Sequence, residues 1–151
     1  MLRDRLNDAL KEALKGQDKR AVSTIRLIMA ALKDRDIAAR GRGQSEGLGD
    51  EQVLELLQKM VKQRRESIEA YDKAGRDDLV RQEQEEIDVI ARFLPQMMSE
   101  AETKAAVEET LQDLKADSIK DMGRVMASLK ERFPGKMDFA KASGLVKQRL
   151  A

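Results

Sequence analysis

The stretch Lys62–Gln96, KQRRESIEAYDKAGRDDLVRQEQEEIDVIARFLPQ, decides the fold. Apolar residues recur at helical spacing on both sides of Ala74-Gly75: Ile68 and Tyr71 before it, Leu79, Val80, Ile87, Ile90 and Leu94 after it. Glycine just past the last periodic residue stops a helix, and Asp77 or Asp78 starts the next. Pro95 ends that second helix, because proline lacks an N–H and disfavours helical geometry in its predecessor. The stretch therefore reads as a charge-rich helical hairpin.

Working towards the N-terminus, Asp50 is expected to cap the first arm of this hairpin, whose apolar residues are Val53, Leu54, Leu57, Met60 and Val61. Before it, Ala39 to Asp50 holds four glycines with Arg40 and Arg42 and reads as a flexible loop. Earlier still, Leu2, Leu6, Ala9, Leu10, Ala13 and Leu14 mark an amphipathic helix stopped by Gly16. Asp18 caps a second helix bearing Val22, Ile25, Ile28, Met29, Leu32 and Ile37.

Towards the C-terminus, Ser99-Glu100-Ala101-Glu102 forms a capping box that restarts helix after the proline. Three shorter helices follow. One carries Ala106, Val107, Leu111 and Leu114; the next starts at Ser118 and carries Met122, Val125, Met126 and Leu129; the last is capped by Asp138. Gly123 lies within a helical pattern, where glycine costs roughly 1 kcal/mol against alanine, so close approach of another helix is expected there. The expected architecture is all-α. An N-terminal helical bundle or hairpin domain covers 1–95, and a small three-helix tail domain covers 96–151. Phe93-Leu94-Pro95 is the expected joint, with Phe93 and Leu94 packed on the N-terminal body.

The chain has 151 residues and contains neither cysteine nor histidine. That removes disulfides, thiolate catalysis, the usual general base near neutral pH and the commonest metal ligand. The glycine-rich ARGRGQSEGLG has no following Lys-Ser or Lys-Thr, so it fails as a phosphate-binding P-loop. Glu83, Glu85, Glu86 and Asp88 occupy diverging helix positions, whereas a hard metal needs oxygens converging on one point. No catalytic residue, cofactor or metal is expected. The N-terminus alternates charged and apolar residues, which is neither a signal peptide nor a membrane span, so a cytoplasmic location is expected.

Net charge is only +1, but it is unevenly spread. Between Gln96 and Ile119 six acids face two bases; from Lys120 onward eight bases face three acids. The candidate nucleic-acid-binding residues are Arg124, Lys130, Lys136, Lys141 and Lys147 in that basic end, with Lys62, Arg64 and Arg65 on the hairpin. Lys136 and the start of the last helix are expected to lie where a phosphate can bind. On the hairpin, Glu66 and Glu69 offer Lys62 and Arg65 ion pairs one turn away, so a merely solvated helix is the competing reading.

Three segments carry a family resemblance: STIRLIMAALKDRDI near the start, KQRRESIEAYDKAGRDDL with FLPQ in the middle, and DMGRVM with PGKMDFAKASGLV near the end. Together they resemble the GatB/YqeY family over essentially the whole chain. That family is similar to the C-terminal, tRNA-contacting part of the B subunit of the glutamine-dependent amidotransferase acting on misacylated Glu-tRNA or Asp-tRNA. Phe93 stands where tyrosine is frequent and Met97 where glutamine is common. The resemblance implies an all-α protein that binds tRNA or a tRNA-dependent enzyme as partner. It also implies that a carbon–nitrogen ligase activity with glutamine as amido donor belongs to parts this chain lacks. A helical protein–protein adaptor without nucleic acid is the alternative.

Overall fold

The computed structural model describes residues 1–151, which form seven α-helices and no strand. The chain divides into two compact units, Met1–Leu94 and Pro95–Ala151.

The first unit holds α1 (Leu2–Lys15), α2 (Lys19–Gly41), α3 (Asp50–Lys73) and α4 (Asp77–Ala91). α3 packs along α4 as a hairpin, while α2 rests on α1 and α4. The hairpin turn is set by Gly75 at φ +70, a left-handed conformation that glycine adopts without steric cost. Arg76 N donates to Tyr71 O at 2.9 Å and Gly75 N to Asp72 O at 3.1 Å, so the helix end satisfies its own free carbonyls. Leu6, Ile25, Ile28, Val53, Leu57 and Ile90 are the centre of the core. Burying each such side chain gains roughly 1.5–3 kcal/mol. Phe93 is buried in the same core, Leu94 packs against it, and both lie beyond the end of α4. Arg5 lies over the Phe93 ring at 5.8 Å and donates to Arg92 O, tying α1 to the end of α4.

The glycine stretch departs from the flexible loop expected of it. α2 continues to Gly41, and the following residues are anchored by Asp36. The Asp36 carboxylate accepts two bonds from the Arg3 guanidinium, at 2.7 and 2.8 Å, and one from Leu48 N at 2.9 Å. Arg3 also donates to Leu48 O, and Gln44 Nε2 donates to Gly47 O and Gln52 Oε1. Leu48 is buried as a result. Asp36 within α2 and Arg3 in the first turn of α1 give no local sign of this pairing, because they lie 33 positions apart.

Three local expectations are corrected. The N-cap of α3 is Gly49, whose N–H is taken by Gln52 Oε1, while Asp50 accepts from Leu2 N at the start of α1. Ile37 and Leu14, expected on the apolar faces of α2 and α1, are exposed. Ser118 begins a short 3-10 turn, Ile119–Asp121, closed by the Asp121 carboxylate accepting from Asp117 N and Ser118 N.

The second unit holds α5 (Glu100–Asp113), that 3-10 turn, α6 (Met122–Arg132) and α7 (Phe139–Leu150). The capping box forms as expected: Glu102 N donates to Ser99 Oγ and Ser99 N to Glu102 Oε1. The three helices pack mutually around Val107, Val125, Leu129, Met137, Ala142 and Val146.

Candidate nucleic-acid interface

The candidate bases fall into two groups, those held by carboxylates and those left free. In the first unit, Arg64 turns inward. Its Nε donates to Glu86 Oε2 at 3.0 Å, with the two side chains only 15% and 10% exposed. Arg20 approaches the same carboxylate at 3.8 Å and pairs with Glu85 at 3.1 Å. Glu83, also on α4, is pushed up from the ordinary carboxyl range by burial and by the nearby Glu86 charge. The acidic run of α4 thus disperses along the helix instead of converging. Asp88, for its part, accepts from Gln84.

Lys62 and Arg65 face solvent and make no ion pair, so the expected partnership with Glu66 and Glu69 is absent. Arg40 and Arg42 lie away from them. The glycine stretch meets α3 at Gln52, ten positions before Lys62, which is about 15 Å along a helix.

In the second unit the arginines are tied and several lysines are free. Arg124 bonds Asp121 at 3.1 Å and Leu114 O at 2.9 Å. Arg132 bonds Asp113 at 2.9 Å and Thr110 Oγ1, and Arg149 bonds Glu108 at 2.9 Å. The acids of α5 therefore cancel much of the charge of α6 and α7. Lys141 lies 3.7 Å from Glu100, with both side chains well exposed. Lys130, Lys136 and Lys147 are exposed and have no carboxylate partner. Asp121 is held below the usual carboxyl range by backbone N–H groups and Arg124. The start of α7 is not open to phosphate as expected: Asp138 Oδ1 already accepts from Ala140 N and Lys141 N.

Gly123 does not mark a close helix approach. A side-chain carbon built there, or at Gly144, meets nothing within 4 Å. Both glycines belong to a shared exposed pattern that the sequence reading missed: Gly123, Ala127 and Lys130 on α6, and Ala140, Gly144 and Lys147 on α7. Positions i, i+4 and i+7 share one helix face. Each helix thus presents two small residues and then an unpaired lysine. The identical spacing was available in the sequence, but only exposure separates it from a packing surface.

The model of Yqey-like proteins matches residues 3–150. The chain belongs to the YqeY-like family. Among curated proteins, it resembles "Altered inheritance of mitochondria protein 41, mitochondrial" from several fungi. The Lachancea thermotolerans protein is 36% identical over 112 residues, covering 73% of this chain and 58% of the relative. The Pyrenophora tritici-repentis protein is 33% identical over 133 residues, covering 85% and 71%. That from Saccharomyces cerevisiae is 31% identical over 112 residues, with coverage of 73% and 58%. The chain therefore spans less than two thirds of the length of two of these three relatives. Their names are those of mitochondrial proteins, which overturns the cytoplasmic expectation drawn from the N-terminal residues. No helix of this YqeY-like chain is long and apolar enough to cross a membrane.

Proposed function

We propose that this chain is a non-catalytic helical module of tRNA-dependent amidation, whose second unit docks on tRNA through backbone phosphates. The observation that carries the reading is the matched exposed pattern of α6 and α7. Gly144 stands in a helix interior and Gly123 in a first helical turn, and neither glycine fills a packing need. A local rule broken without structural return marks a surface shaped for something outside the chain. Small residues let a backbone come close, and the free Lys130 and Lys147 supply compact charges for phosphate. Lys136 adds a third from the turn between the helices. Lysines of this kind position a nucleic acid without reading its sequence.

The test is retention of tRNA by the full chain across a salt titration. Retention should fall steeply with salt, because each neutralised phosphate releases counterions. Lys130→Ala, Lys136→Ala and Lys147→Ala should each lower the log–log slope by about 1. Absence of binding at about 50 mM salt overturns the reading.

The adaptor reading has one observation in its favour. Arg124, Arg132 and Arg149 are neutralised by carboxylates of their own unit, which leaves the basic end less charged than its sequence. It predicts no tRNA retention together with capture of a tRNA-dependent enzyme by the same chain.

A further inference from the structure

A groove of about 580 Å³ runs between α2 and α3 in the first unit. On α2 its wall is Leu27, Ala31, Asp34 and Ala38, which share one helix face. On α3 the lining includes Leu56, Lys59, Met60 and Gln63. Leu27 is 47% exposed at the rim, while Leu56 and Met60 form a buried apolar floor. Ala31 and Ala38 add little bulk, so a second helix can approach closely. From Leu27 to Ala38 the groove covers about 16 Å, or three helical turns.

Its charge is one-sided. Arg35 and Lys59 line it and neither has a carboxylate partner. Lys62 and Arg65 stand exposed and unpaired on α3, within two turns of Lys59. Arg64 also borders the groove, but its charge is consumed by Glu86. Asp34 is the one acid in the lining.

We propose that the α2–α3 groove docks an acidic amphipathic helix from a partner protein. Its apolar stripe covers Leu27, Ala31 and Met60, and its flanking carboxylates meet Arg35 and Lys59. Helix-in-groove recognition uses anchors at i, i+3 or i+4, and i+7, which this length accommodates. The apolar floor argues against nucleic acid here, since phosphates gain nothing from leucine and methionine. The inference uses the first unit alone and stands apart from tRNA docking by the second.

The experiment uses the isotope-labelled full chain and a synthetic three-turn helical peptide with one leucine stripe flanked by glutamates. Amide shifts should cluster on Leu27, Ala31, Ala38, Lys59 and Gln63. A peptide with lysines in place of the glutamates should leave them unmoved. Arg35→Glu combined with Lys59→Glu should weaken the glutamate peptide about tenfold or more while the remaining spectrum stays folded. Shifts scattered elsewhere, or equal binding of the lysine peptide, overturn the proposal. Two further results also overturn it. One is a short RNA duplex moving the same amides, which makes the groove a nucleic-acid site. The other is a concentration-dependent dimer abolished by Leu27→Glu, which makes the occupant a second copy of this chain.

Discussion

Arg64 and Glu86 join the two arms of the α3–α4 hairpin through a 3.0 Å bond between side chains that are mostly withdrawn from water. Lys62 and Arg65, on either side of Arg64, are exposed and unpaired. Lys59, Lys62, Arg64 and Arg65, four bases within seven residues of α3, are thus one structural arginine and three free charges. Arg64→Ala should destabilise the first unit by about 2–3 kcal/mol. That is less than loss of a fully buried pair, because Arg20 still lies 3.8 Å from Glu86. Lys62→Ala and Arg65→Ala should stay within about 0.5 kcal/mol of the parent. Urea denaturation followed by circular dichroism separates them, and a large effect of Lys62→Ala would contradict its free state.

Asp36 makes stability depend on acid. Hydrogen bonds from Arg3 lower its carboxyl from 3.8 to about 2, assisted by the Leu48 N–H and opposed by burial. A depressed folded-state value stabilises the fold above the unfolded value and loses that stabilisation as pH falls through the folded one. The stability supplied by Asp36 should therefore be complete above about pH 5 and be mostly lost as pH falls to about 2. Asp36→Asn should flatten this part of the urea-midpoint profile between about pH 5 and pH 2 relative to the parent. An unchanged profile would mean that Arg3 does not hold Asp36 in solution.

Gly47 seats the loop on the same carboxylate. Its φ is +80, and an added side-chain carbon would come within 2.5 Å of Asp36 Oδ1. Gly47→Ala should cost at least about 1–3 kcal/mol, combining a left-handed backbone with a displaced ion pair. Gly43→Ala shares the left-handed conformation but has open space, so it should cost less. Equal thermal midpoints for the two variants would refute the clash.

Gly144 and Gly123 should show the opposite behaviour. Gly144→Ala fills no occupied space and should stabilise the second unit by roughly 0.5–1 kcal/mol. Gly123→Ala, in the first turn of α6, should contribute less. Both should weaken tRNA retention despite the gain in stability. A stabilised variant that binds as well as the parent would remove the small-residue face from the docking surface.

The two units have separate cores, one built from Leu2 to Phe93 and the other from Ala106 to Leu150. A fragment of residues 1–94 should therefore unfold cooperatively with urea and keep its helical spectrum. Loss of cooperativity would show that the first core depends on the second unit.

The amino-acid sequence by itself was enough for the helices and most of their ends. Period-3.6 apolar patterns, Gly16, Asp18, Gly75, the Ser99–Glu102 box and Asp138 all act through neighbours within a few residues, so their effects are legible locally. Most buried residues of the two cores follow from the same periodicity, but Leu48 and Met137, which lie between helices, do not. The fate of each charge was not legible. Arg3 with Asp36, Arg64 with Glu86 and Arg149 with Glu108 are 33, 22 and 41 positions apart. Whether a base is consumed by such a partner or left for a phosphate depends on which helix faces meet. Only tertiary packing decides that, because a helix surface fixes directions within itself and says nothing about the element laid against it.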